Sequence, residues 1–94
     1  MKWPQAITHY QNYLKIERGL SENSISNYTF DINKLVKWMV LNNVKTSPIN
    51  IEKETLQEFI YNIAKELNPR SQSRIISGLK GFFNYLIFEE YRAT

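Results

Sequence analysis

The residues with the clearest chemical character lie between Arg70 and Phe88, a stretch that forms two distinct faces when wound as a helix at about 100° per residue. One face is apolar, whereas the other carries cations, hydroxyl groups and an amide but no carboxylate. An ordinary solvated helix face mixes both signs of charge. The pattern therefore favours a surface that contacts phosphate groups, with a plain solvated face as the alternative. The polar face comprises Arg70, Ser73, Arg74, Ser77, Gly81 and Asn84, with Lys80 at its edge.

Two predicted helix N-termini add backbone donors to these side chains. Asn68 and Pro69 are typical of an N-cap and a first helical residue, so the next residues lie in a first turn where free amides and the helix dipole attract anions. A second helix is predicted to begin after Ser21 and to carry a similar polar set. Two such helix starts in one small domain strengthen the phosphate interpretation. The side chains concerned are Arg70 and Ser71 in the first case, and Asn23, Ser24 and Asn27 in the second.

No residue pattern in the chain is typical of an enzyme active site. The tyrosines lack the basic cluster that would make a phenol nucleophilic, and His9 has no carboxylate in a relay position. The carboxylates Glu52, Glu54 and Glu58 are more simply explained by an exposed helix face. The absence of cysteine and the single histidine argue against disulfides and metal sites. We expect no catalytic residue, no cofactor and no bound metal.

The composition predicts one small folded domain over residues 1–94. Two Trp, six Tyr and five Phe supply large apolar areas, which a chain of 94 residues needs to offset its conformational entropy. The net charge of +3 is modest, but its distribution is uneven, because residues 68–88 contain three cations and no anion. No segment approaches the roughly 18 apolar residues of a membrane span. We expect a cytoplasmic protein with no membrane partner.

The hydrophobic periodicity predicts four helices, over residues 4–18, 22–42, 52–67 and 69–88. Alternation of period two, which would indicate strands, is absent. Short connections between four helices favour a compact all-α domain, an orthogonal bundle of four main helices. The predicted buried stripe of the second helix comprises Ile25, Tyr28, Ile32, Leu35, Val36 and Met39.

Two aromatic residues of the second helix, Phe30 and Trp38, fall outside its predicted buried stripe. We expect them to contact the first helix or a partner protein. Large exposed aromatic groups are typical of interaction sites, so they support an alternative function. On this alternative the chain is a helical protein–protein interaction module that makes no direct contact with DNA.

Two segments resemble the signatures of a known family. Residues 17–28, E-R-G-L-S-E-N-S-I-S-N-Y, followed by Asp31 and Ile32, resemble the opening of the N-terminal core-binding domain of tyrosine recombinases, the phage integrase and Xer-type family. Residues 67–86, L-N-P-R-S-Q-S-R-I-I-S-G-L-K-G-F-F-N-Y-L, resemble the second signature of that domain. The two segments have the order and spacing of the family pattern.

The resemblance implies a SAM-like helical domain that forms half of a clamp around duplex DNA. In the family, the helices equivalent to the second and fourth helices face the DNA. Three residues depart from the usual pattern: Ser24 replaces Thr, Gly78 replaces Ala, and Lys80 replaces an Arg whose planar fork Lys cannot reproduce. The expected DNA contacts are Asn23, Ser24, Asn27 and Lys34 on the second helix, and Arg70, Ser71, Ser73, Arg74, Ser77 and Lys80 on the fourth.

The resemblance also implies the partners of the chain. They are double-stranded DNA, a C-terminal catalytic domain of the same full-length protein, and other recombinase protomers on the DNA. The family's chemistry uses a tyrosine nucleophile in that catalytic domain, which we expect to be absent from these residues. The chain is thus expected to be a non-catalytic, DNA-binding part of a site-specific recombinase or integrase that acts in DNA integration and recombination.

Overall fold

The computed structural model describes residues 1–94 and contains four helices and no strand: α1 (Trp3–Ile16), α2 (Glu22–Leu41), α3 (Lys53–Ile63) and α4 (Pro69–Phe88). Helix α2 packs against both α1 and α4, and α3 packs against α4. The radius of gyration is 12.9 Å, which matches the roughly 13 Å of a folded domain of about 100 residues. The prediction of a compact all-α, SAM-like domain is confirmed.

The starts of α2 and α4 follow from local capping. The Ser21 hydroxyl accepts a hydrogen bond from the Ser24 amide at 3.3 Å, and the Asn68 side chain accepts one from the Ser71 amide at 2.9 Å. Pro69 occupies the first turn of α4, where its missing N–H is not needed. Both helix starts were predicted from these residue types and are confirmed.

The end of α3 differs from the prediction. The helix ends at Ile63, four residues before the predicted end at residue 67. The chain then tightens, because the amides of Lys65 and Glu66 donate to carbonyls only three residues back. Asn68 is extended, with ψ of 163°, as expected for a residue before proline. The tight turn redirects the chain from α3 into α4.

Aromatic side chains dominate the contact between α1 and α4. The Tyr10 ring lies 5.3 Å from Phe82 in an edge-on arrangement and 5.1 Å from Tyr85, and Trp3 stacks on Phe82 at 6.1 Å. All four residues are buried. Such pairs contribute beyond the area they bury. This contact anchors the apolar face of α4 and thereby fixes which face it turns towards α2.

The buried stripe of α2 is confirmed in part. Ile32, Leu35 and Met39 are buried, whereas Ile25, Tyr28 and Val36 are half-buried. The fully buried residue in the first half of α2 is Asp31, which is 2% exposed. A carboxylate thus occupies a position where the periodicity predicts an apolar side chain.

The ring of Trp38 contacts Phe59 of α3, with centroids 5.5 Å apart. The sequence had predicted a contact with α1 or a partner protein and had not anticipated α3. Phe30 remains 56% exposed, and its ring centroid lies 5.9 Å from Cζ of Arg74 in α4. Apolar periodicity shows which residues lie outside the main apolar stripe of a helix. It does not show which other helix they contact, because a third helix can pack against a second face.

Candidate nucleic-acid interface

A pocket of about 450 Å³ lies between α2 and α4, and most of the residues that line it carry polar or charged side chains. Four of the predicted DNA-contacting residues meet there: Ser24 and Asn27 from α2, and Arg74 and Ser77 from α4. We refer to it as the α2–α4 pocket. Its complete lining is Ser24, Asn27, Tyr28, Asp31, Arg74, Ser77 and Gly78.

The residues of the two helices meet in opposite order along this pocket. Leu20 and Tyr28, before and early in α2, share a neighbouring cavity with Ser77 and Gly81, whereas the later Asp31 contacts Arg74, earlier in α4. The N-termini of α2 and α4 therefore lie towards opposite ends of the pocket. Arg70 and Ser71 extend the polar surface by one further turn beyond Arg74.

At the starts of α2 and α4, some backbone amides that could bind an anion are already hydrogen-bonded to the N-cap side chains. The amides of Ser24 and Ser71 are already bonded to Ser21 and Asn68, and Pro69 has no amide hydrogen. The first turn of α4 is left with the Arg70 amide as its unbonded main-chain donor. Side chains rather than main-chain amides must supply most of any contact with phosphate.

Asp31 lies at the floor of the α2–α4 pocket and introduces the negative charge that α4 itself lacks. A guanidinium nitrogen of Arg74, Nη1, lies 2.9 Å from Oδ1 of Asp31. The contact is an ion pair, and Oδ1 has no further donor in the structure. Burial raises the pKa of Asp31 above its ordinary value, and the charge of Arg74 offsets part of that increase.

Gly78 makes room for this carboxylate. A Cβ atom at position 78 would lie 3.1 Å from Cβ and Cγ of Asp31 and would overlap the carboxylate oxygen. The missing side chain at residue 78 accommodates the Asp31 carboxylate where α4 approaches α2. Glycine in a helix costs about 1 kcal/mol relative to alanine. At position 78 this cost is accompanied by the space that the Asp31 carboxylate occupies.

The other predicted contact residues surround the α2–α4 pocket or lie apart from it. Lys80 is separate, because it lines an apolar groove of about 690 Å³ between α3 and α4, with Leu56, Ile60 and Phe83 among its neighbours. We call this the α3–α4 groove. The remaining predicted residues are outside both linings: Asn23, Arg70 and Ser73 are exposed, and Lys34 and Ser71 are half-buried.

Three residues belong to the interface region although they were not predicted to. Asp31 and Phe30 both contact Arg74, and Arg18 lines a neighbouring cavity that shares Tyr28 and Ser77 with the pocket. A sequence signal existed for Asp31, since it lies three residues after Tyr28 and four before Leu35, within the apolar stripe. A carboxylate in such a stripe requires a partner.

The tyrosines around α1 show no sign of activation. Burial is the main cause that raises the pKa of Tyr10 to about 12 and the pKa of Tyr85 to about 12. Both phenols therefore stay protonated near neutral pH, and each belongs to the aromatic contact between α1 and α4. None of the four helices combines the length and the apolar character needed to span a membrane.

A family model described as the phage integrase N-terminal SAM-like domain matches residues 7–90. The match includes α2, α3 and α4, most of α1, and every residue of the α2–α4 pocket. The chain belongs to the phage integrase N-terminal SAM-like domain family. The sequence-based assignment to this family is confirmed.

Members of this family with curated names include several recombinases. The chain is 33% identical over 84 residues to a protein named tyrosine recombinase XerD from Listeria innocua, which covers 88% of this chain and 28% of that protein. The proteins of the same name from Vibrio cholerae and Pasteurella multocida are each 31% identical, over 88 and 93 residues. The chain spans only 28% to 31% of the length of these relatives. No solved structure matches the chain.

Proposed function

We propose that this SAM-like domain is the core-binding domain of a tyrosine site-specific recombinase and that it binds duplex DNA through the α2–α4 pocket and the surface around it. The observation that carries the proposal is the convergence of Ser24, Asn27, Arg74 and Ser77, from two helices, on one polar pocket. Hydroxyl, amide and guanidinium groups are the donors that proteins use to contact phosphates and base edges.

The DNA-binding surface extends from this pocket along the start of α4. Arg70 is exposed one turn before Arg74, and Ser73 is exposed beside it. Together with Asn23, Lys34 and Ser71, these residues complete a surface of donors on the same two helices. Lys80, in the α3–α4 groove, would contribute to phosphate affinity from the edge of this surface.

Within a full-length recombinase, the partner of this domain would be a catalytic domain that supplies the tyrosine nucleophile. Support comes from the short fraction of the relatives that the chain matches, together with their name, tyrosine recombinase. The domain would contribute affinity and register, and residues 1–94 would take no part in strand cleavage. Other protomers bound to the same DNA would be further partners.

The salt dependence of duplex binding tests the proposal. We expect the affinity of the 94-residue chain for a mixed-sequence duplex to fall steeply with salt, with a slope that becomes shallower by about 0.9 for each phosphate contact removed. Arg70→Ala should produce such a change, and Arg74→Ala should weaken binding as well. Lys45→Ala is the matched control, since it removes one exposed cation from the loop between α2 and α3. Salt-independent binding, or no binding at low salt, would refute the proposal.

The alternative function, a protein-interaction module without DNA contact, retains two supporting observations. The α3–α4 groove has an apolar lining, and Ile87 at its edge is 39% exposed. Of the two aromatic residues that first favoured this alternative, Phe30 is 56% exposed, whereas Trp38 is engaged with Phe59. Light scattering decides the question for self-association: a mass that rises with concentration and returns to that of a monomer in Ile87→Ser would support the alternative.

A further inference from the structure

Arg74 differs from every other cation of the proposed interface because it is held by other side chains. It forms the one ion pair in the structure, with Asp31. Asp31 is 2% exposed and therefore cannot itself reach a bound nucleic acid, whereas the side chain of Arg74 is 49% exposed. Any effect of Asp31 on a ligand must act through Arg74.

Phe30 contacts the same guanidinium group. Its ring centroid lies 5.9 Å from Cζ of Arg74, within the range of a cation–π interaction. Phe30 is 56% exposed and contributes nothing to the buried core. The ring and the carboxylate leave Nε and Nη2 of Arg74 without a partner in the chain.

Such an arrangement suits the recognition of a base edge. Guanidinium donors have a fixed planar geometry that matches N7 and O6 of guanine, the commonest specific contact between proteins and DNA. A side chain that is already oriented loses less rotamer freedom on binding. Arg70, by contrast, is exposed and has no partner in the structure, which suits a phosphate contact of loose geometry.

We propose that Asp31 and Phe30 are positioning residues that fix the Arg74 guanidinium for contact with a guanine edge, and that Gly78 is the residue that admits Asp31 beside α4. The inference rests on the proposed DNA-binding function. It assigns sequence selectivity to Arg74 and general affinity to Arg70 and the surrounding donors.

An electrostatic role and a positioning role for Asp31 make different predictions for the Asp31→Asn variant. The substitution removes a negative charge from a surface that binds a polyanion, so electrostatics alone predicts tighter binding to every duplex. Positioning predicts that the preference for a particular sequence is lost. The two effects separate when the ratio of affinities for a selected and a scrambled duplex is measured.

The experiment uses the 94-residue chain and a pool of randomised duplexes, from which the wild-type chain selects its preferred sequence. Affinities for the selected duplex and a scrambled duplex of equal length are then measured for four variants: Asp31→Asn, Arg74→Ala, the double variant and Glu58→Gln. We expect Asp31→Asn to lower the affinity ratio at least about fivefold while binding to the scrambled duplex holds or rises. The double variant should lose no more selectivity than Arg74→Ala. Glu58→Gln removes an equal charge from the exposed face of α3 and should keep the wild-type ratio.

Each outcome is decisive. An unchanged ratio in Asp31→Asn, or losses that add in the double variant, would overturn the positioning role while leaving DNA binding intact. If the wild-type chain binds duplexes but selects no sequence, the positioning role is likewise overturned. Failure of the wild type to bind any duplex would overturn the proposed function itself. If Asp31→Asn does not fold, Phe30→Leu provides the test, because Phe30 is exposed and its loss should lower the ratio without unfolding the domain.

Discussion

Helix α4 meets two of its neighbours at glycines three residues apart, and the two contacts differ in chemical character. Gly78 faces the Asp31 carboxylate of α2, whereas Gly81 faces the Tyr10 hydroxyl of α1, which would lie 3.2 Å from an added Cβ atom. The contact at Gly81 belongs to the aromatic cluster between α1 and α4, but the contact at Gly78 is with a buried carboxylate at the floor of the α2–α4 pocket. A missing side chain therefore accommodates a phenol in one place and a carboxylate in the other.

On the proposed function, the comparison separates stability from binding within one small domain. Aromatic burial between α1 and α4 contributes favourably to folding, and the indole N–H of Trp3 is satisfied by the Thr46 carbonyl at 2.8 Å. Around Asp31 the reverse holds, because burial of a carboxylate opposes folding and is only partly offset by Arg74. We interpret the α2–α4 pocket as a site that costs stability and is retained for binding.

The largest expected effect tests the aromatic contact. Phe82→Ala should lower the free energy of unfolding by about 3–5 kcal/mol, because the ring is fully buried and contacts both Trp3 and Tyr10. Urea denaturation measures this change. Under conditions where the variant stays folded, its selectivity for DNA should equal that of the wild type; a loss of selectivity would show that stability and binding are not separated.

The two glycines provide the next test. Gly78→Ala should cost about 1–2 kcal/mol, since overpacking against the Asp31 carboxylate outweighs the roughly 1 kcal/mol gained in helix propensity. Gly81→Ala is the matched control and should be near neutral, because the Tyr10 hydroxyl needs to move only a few tenths of an ångström. Equal effects in thermal unfolding would contradict the difference between the two contacts.

The smallest effect concerns the charge of Asp31. Its folded-state pKa is raised above the ordinary value of 3.8, so its contribution to stability is present at lower pH and is lost as the pH rises through the folded-state value. Asp31→Asn should therefore keep or slightly increase the free energy of unfolding at pH 7. The substitution should also remove the decrease in the free energy of unfolding that the titration of Asp31 causes as the pH rises above 3.8. A clear destabilisation at pH 7, measured by urea denaturation, would show that the ion pair with Arg74 stabilises the fold.

The helices could be predicted from the sequence because their signals are local. Ser21 and Asn68 mark helix starts through hydrogen bonds to residues three positions on, and the apolar stripe of α4 depends on periodicity alone. The environment of Asp31 could not be predicted in this way. It depends on Gly78 and Arg74, which are more than 40 residues away in the chain, and on the approach of two helices. For the same reason the sequence did not reveal that Trp38 packs on Phe59.

The predicted contact residues were grouped correctly only where two helix faces meet. Ser24, Asn27, Arg74 and Ser77 share the α2–α4 pocket, but Lys80 lies in the α3–α4 groove. Arg74, Ser77 and Lys80 all lie on the polar side of α4. Periodicity places them on that side, but it does not show which neighbouring helix each residue will lie beside. The role of all ten residues in DNA binding remains a prediction.

The most direct test of DNA binding at the α2–α4 pocket is an NMR titration of the ¹⁵N-labelled chain with a duplex. We predict that the largest amide shift changes fall at residues 23–31 and 70–78, which include the starts of both helices and the pocket. Small changes are expected at residues 56–60, on the α3 side of the α3–α4 groove. Changes concentrated at residues 56–60 and 83–87, with residues 23–31 unaffected, would contradict the central claim.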